Sequence, residues 1–173
     1  MKHLFFVLAF GLLIFSCNNA DPTAMEAQIE SAKEELFGKG KQTFDKTKAS
    51  GLVDSYQEFI TAFPDDPKTP EYMFKQAEIL RTLQRFDEGI AVWENIYTKY
   101  PNYEKAPQSY FLVAFTYENE LKNLAKAKKF YETFLTKYPT HEFAKDAKFS
   151  LDNLGVSPED IIKGFQKNQK AAN

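Results

Sequence analysis

Cysteine is almost absent from this chain: Cys17 stands alone, so no disulfide can close within it and no cysteine cluster can bind zinc. Histidine is nearly as scarce, with only His3 and His141. A single histidine without a second ligand at helical spacing cannot build a metal centre. An excess of one charge is missing too, since 22 basic and 24 acidic residues leave a formal net charge of −2. That balance provides no footprint for a polyanion and argues against nucleic acid as a partner. Long apolar runs are confined to residues 4–15, and a membrane-spanning helix needs about 20 such residues.

The apolar run follows Lys2 and stops at Ile14-Phe15-Ser16-Cys17, so residues 1–16 read as an export signal. Ile14, Ser16 and Cys17 resemble a bacterial lipobox, in which the cysteine sulfur receives a diacylglycerol and becomes the mature N-terminus. Phe15 departs from that pattern, where a small residue is usual. The alternative is ordinary signal cleavage, which would leave a free thiol in an oxidising compartment, a liability. Lipidation at Cys17 is therefore expected, with residues 17–21 as a short tether to the membrane. Each buried lipid CH₂ contributes about 0.8 kcal/mol, so several acyl chains hold firmly.

Aromatics, by contrast, are plentiful: 17 Phe, 9 Tyr and one Trp make up 16% of the chain. They also recur. Phe63-Pro64, Tyr100-Pro101 and Tyr138-Pro139 are spaced 37 and 38 residues apart, the last two within identical TKYP stretches. Periods of this size signal stacked helical hairpins. Counting back from each proline, the columns agree in type: Leu52, Gly89 and Ala127; Tyr56, Trp93 and Tyr131; Phe59, Ile96 and Phe134; Ile60, Tyr97 and Leu135. These offsets trace one face of a helix. Proline then ends it, because it fixes φ, lacks an N–H and disfavours the α region in the residue before it. Counting forward, Phe74, Phe111 and Phe149 coincide, and Ala77 and Ala114 leave room for a neighbouring helix. Turns of about four residues are expected around Arg85-Phe86-Asp87 and Lys122-Asn123.

The small residues Ala77, Gly89, Ala114 and Ala127, the aromatics Trp93 and Tyr131, and the closing Pro101 and Pro139 resemble the tetratricopeptide repeat. The likeness covers about residues 52–155. The YP ending and loops such as FPDDPKTPEYMF are most similar to repeats of bacterial envelope lipoproteins of the BamD and Tol–Pal-associated type. The segment NLGVSPEDIIKGF resembles the close of small repeat lipoproteins of the Bacteroidetes group. The expected fold class is thus all-α, a short helical-hairpin solenoid with capping helices. Its units are a degenerate N-terminal cap at 22–64, repeats at 65–101 and 102–139, capping helices at 140–168 and a polar tail at 169–173.

Solenoid ends need caps, since a terminal hairpin would otherwise expose the face meant for its neighbour. Asp21-Pro22 opens a helix running to about Phe37, and residues 38–51 read as a polar, basic linker. Near the other end Ala144, Ala147, Leu151 and Leu154 share a face, with Gly155 as the stop. Ser157 then caps a last helix with Pro158 in its first turn and Glu159-Asp160 favourably placed against the dipole. There Ile161, Ile162 and Phe165 are expected to bury.

Signs of catalysis are weak. His141 falls in a loop, where a solvated polar residue is the default. The GKGKQT stretch lacks the Ser or Thr after Gly40-Lys41 and the upstream glycine that a phosphate loop requires. Adjacent acidic pairs (Glu34-Glu35, Asp65-Asp66, Glu159-Asp160) diverge by about 100° on a helix and make no acid–base dyad. Neither enzyme activity nor a cofactor is expected. The resemblance implies instead that first helices line a concave face for a protein or peptide partner. Carried across, that face comprises Glu71, Phe74, Glu78 and Arg81, then Gln108, Phe111, Phe115 and Glu118. The apolar segment 110–117 leaves a second option open, in which Phe74, Phe111 and Phe115 are core. The expected role is a non-catalytic scaffold, lipid-anchored at the periplasmic face of the outer membrane, in outer-membrane assembly or envelope maintenance. The alternative is a spacer that self-associates and has no peptide groove.

Overall fold

The structure is a computed structural model and describes residues 20–38, 40 and 43–171, apart from the side chains of 165 and 168–171. Cys17 and the expected signal lie outside the described residues. Within them the chain forms eight helices and no strand: α1 (Pro22–Phe37), α2 (Lys46–Ala62), α3 (Thr69–Thr82), α4 (Phe86–Lys99), α5 (Ala106–Asn119), α6 (Leu124–Lys137), α7 (Ala144–Asp152) and α8 (Pro158–Ala171). From α1 to α7 each helix packs chiefly on its neighbours in sequence. Odd-numbered helices therefore form one layer and even-numbered helices the other, which is the expected all-α solenoid of tetratricopeptide type.

The caps explain where helices begin. Asp21 accepts from the Thr23 N–H at 3.0 Å, with Pro22 in the first turn. Asp45 accepts from the Thr47 and Lys48 N–H groups at 2.9 and 3.1 Å. That second cap corrects the linker expected over 38–51: α2 already starts at Lys46, because an Asp at N-cap satisfies donors the helix leaves orphaned.

The three aromatic–proline stops are equivalent in detail. Phe63, Tyr100 and Tyr138 have φ/ψ of −132/62, −124/55 and −131/54, and each N–H still donates to the carbonyl four residues back, on Phe59, Ile96 and Phe134. The loops repeat as well. Asp66, Tyr103 and His141 donate to the carbonyls of Phe63, Tyr100 and Tyr138, and Thr69, Ala106 and Ala144 donate to those of Asp66, Tyr103 and His141. The Tyr100 hydroxyl also reaches the Pro64 carbonyl at 2.8 Å, tying one loop to the next. Between hairpin partners, Gln84 (φ 63°) and Lys122 (φ 52°) take the left-handed conformation that reverses the chain. Phe86 and Asp87 belong to α4 itself, so the turn is shorter than expected there.

The aligned columns are the core. Tyr56, Trp93 and Tyr131 are buried, as are Phe59, Ile96 and Phe134. Ile60, Tyr97 and Leu135 sit half-buried at its edge. At Gly89 a Cβ would come within 3.2 Å of the Ala77 carbonyl, so the small residue in this column keeps α4 close to α3, as Ala127 does in the next hairpin. The column counted forward from the prolines ends differently: Phe74 and Phe111 are buried, but Phe149 is 46% exposed, because α7 closes the stack.

The C-terminal segment departs from expectation in two ways. Ile161 is half-buried but Ile162 is 55% exposed, so α8 buries one edge of its apolar face. The tail expected to trail off from 169 instead continues α8 as far as Ala171. Ser157 caps this helix as predicted, its Oγ accepting from the Asp160 N–H at 3.1 Å.

Candidate partner-binding face

The odd-numbered helices present a face crossed by charged side chains. On α3, residues Glu71, Lys75, Glu78 and Arg81 follow at helical spacing, so they share a stripe. Lys33 of α1 approaches this stripe from one side and Lys105, just ahead of α5, from the other. Lys75 Nζ lies 2.5 Å from a Glu71 carboxylate oxygen. That bond first, then the fields of Lys75, Lys105 and Lys33, hold the Glu71 carboxyl below its usual range despite partial burial. Glu78 behaves in the opposite way. Its side chain is open to solvent, yet crowding by the protein raises its carboxyl pKa, and the fields of Lys105, Arg81 and Lys75 only partly offset this.

Arg81 bridges the two repeats. Its guanidinium lies 3.9 Å from Glu120 and 5.8 Å from the centroid of the Phe115 ring, within cation–π range. Phe115 is half-buried and lines a depression with Glu118, Asn119 and Leu124. Glu118 is fixed from below, accepting from the buried Tyr131 hydroxyl at 2.7 Å. Burial raises the Tyr131 pKa, so its proton stays in place to make that bond. Gln108 is half-buried at the start of α5.

Phe74 and Phe111, carried onto the face with Phe115, belong instead to the core, the second option the sequence left open. Phe74 is 3% exposed and Phe111 is 8% exposed. Phe111 stacks on Phe143 at 5.0 Å and packs on Tyr131 and Phe134 at 5.8 Å. Lys105 covers Phe74, its Nζ 5.1 Å from the ring centroid. Both rings support the face from beneath, and of the three phenylalanines expected there only Phe115 reaches its surface. Of the eight residues expected there, Glu71, Glu78, Arg81, Gln108, Phe115 and Glu118 have accessible surface.

Sequence reasoning passed over Lys75 and Lys105. Lys75 was available from its spacing four after Glu71, a favourable acid-to-base order. Lys105 was not, because it precedes its helix and reaches the face only through the fold of the loop.

The comparisons with known proteins agree with this geometry. Residues 71–103 and 108–141 match the family model for the tetratricopeptide repeat. A DnaJ protein P58IPK homolog from Arabidopsis thaliana is 30% identical over a region covering 73% of this chain and 23% of that protein. The outer membrane protein assembly factor BamD of Xylella fastidiosa is 24% identical over 86% of this chain and 56% of its own length. The chain thus spans less than a quarter of one relative and just over half of the other. The matched residues fall on α3–α4 and α5–α6, so these two hairpins are similar to tetratricopeptide repeats in sequence, and the described residues stack as an all-α solenoid of that type.

Proposed function

We propose that this chain is a non-catalytic protein-interaction scaffold of the bacterial cell envelope, with the α3–α5 face as its binding surface. Tetratricopeptide repeats imply a protein-binding scaffold, and their fold brings no catalytic group with it. The observation that carries the reading is Phe115 with its neighbours Arg81 and Glu118. They form a half-buried aromatic between a cation and an anchored carboxylate, contributed by successive first helices. Such a mixture suits a peptide that offers apolar side chains between polar ones.

The envelope address rests on the lipobox-like Ile14-Phe15-Ser16-Cys17 and on similarity to a protein named as an outer membrane assembly factor. In this reading Cys17 carries the lipid, the domain stands close to the periplasmic face of the outer membrane, and assembly or maintenance of that membrane is its business. Membrane fractionation tests the address: Cys17→Ser should move the protein to the soluble fraction, and retention in the membrane pellet would remove the anchor. Crosslinked pull-down tests the face: Phe115→Asp should lose partners that wild-type protein captures, at unchanged helicity.

Self-association as a spacer keeps one observation in its favour, the exposed Phe149 and Ile162 at the end of the stack. Sedimentation decides it, since a spacer gives a dimer or larger species and the scaffold a monomer.

A further inference from the structure

The same face holds a second depression between α1, α2 and α3, where the first matched repeat meets the helices that precede it. It measures about 380 Å³, room for one large apolar side chain. Phe37, Phe44, Tyr56 and Ile79 wall it, with Lys33, Lys75 and Glu78 at the rim. Phe37 and Phe44 are 60% and 42% exposed, whereas the other aromatics with described side chains, Phe149 apart, are buried or half-buried. Local structure does not call for them. A hydrophobic staple would pair Phe44, just ahead of cap Asp45, with residue 49, and that is the small Ala49.

The rim has an electrostatic bias. Lys33 lies 2.7 Å from Glu30 and Lys75 2.5 Å from Glu71. The cations further along are occupied too, Lys105 on the Phe74 ring and Arg81 against Glu120. Glu78 alone among the rim charges has no ion pair within the described residues. Crowding already disfavours its charge, so a cation delivered by a partner would be especially welcome there.

We propose that this depression is the anchor subsite of a peptide partner, taking one Phe, Leu or Met side chain while an adjacent Lys or Arg pairs with Glu78. The proposal rests on the α3–α5 face being the binding surface, and extends that surface toward α1.

The test uses fluorescence anisotropy with the purified full chain and a short fluorescein-labelled peptide, one Phe flanked by Lys in a Gly/Ser background. Versions with Ala for Phe and Glu for Lys serve as controls. The Phe/Lys peptide should bind. Losing the peptide's Phe, or making Phe37→Ser or Phe44→Ser, should weaken binding about tenfold or more, the cost of leaving an aromatic ring unburied. Glu78→Gln should weaken the Lys peptide and spare the Glu version. Equal binding of the Ala peptide, or unchanged binding by the Phe37 and Phe44 variants, would overturn the subsite. So would failure of every peptide to bind, and the pull-down with Phe115→Asp then judges the wider face separately. Loss on Phe115→Ser alone would keep the face and reject the subsite.

Discussion

Phe111 and Phe115 sit one turn apart on α5, their ring centroids 6.3 Å apart, yet they do different work. Phe111 fills the junction of α5, α6 and the loop before α7, where its removal leaves a cavity that close-packed neighbours cannot collapse into. Phe111→Ala should cost about 3–5 kcal/mol in urea denaturation. Phe115→Ser should cost far less, about 1 kcal/mol, while abolishing partner capture. A large stability loss for Phe115→Ser would make it core and leave the face without its aromatic. Sequence spacing places both residues on the same helix and cannot separate them. Which one surfaces depends on Phe143, contributed by a loop whose path the α5 pattern does not encode. The acidic members Glu71 and Glu78 followed from the resemblance to the repeat family, but the pairing that leaves Glu78 unmatched needed Lys105 in place.

Among the helices, those ending in aromatic–proline were the most legible. Proline fixes their stops, and the buried columns at one helical face fix which side packs inward. Helix starts were less so: α2 begins within what reads as linker, since the capping role of Asp45 is visible only once Thr47 and Lys48 are seen donating to it. The C-terminal helix shows the limit of pattern reading. Its amphipathic sequence suggests burial of Ile161 and Ile162 alike, but no following repeat exists among the described residues to cover the second. α8 packs on no other helix to the extent that α3–α6 do. Hydrogen exchange should therefore find α8 amides exchanging by local opening, well ahead of those in α3–α6, which should need global unfolding. Equal protection would mean α8 is integral to the stack.

At the scale of the whole molecule, a core this rich in tyrosine makes stability sensitive to alkali. Burial pushes the Tyr103 hydroxyl up to about 12 and also raises Tyr56, Tyr97 and Tyr131. Each raised value means the fold favours the neutral phenol. That contribution is intact below the ordinary tyrosine pKa of about 10 and drains away as pH climbs through the folded values. Melting temperature should accordingly hold between neutrality and mild alkali and fall steeply beyond about pH 10, with tyrosinate absorbance appearing together with unfolding. Tyrosinate forming in the folded protein at ordinary pH would contradict the packing. The proposed role of the stack is to hold the odd-helix face for a partner, and the most direct test of that proposal is site-specific photo-crosslinking in cells. With a benzoylphenylalanine at 78 or 115, a discrete crosslinked protein should appear, and at 99 or 128, on the even-helix side, it should not. Crosslinks of equal strength from all four positions, or only from the last two, would show that the partner binds elsewhere.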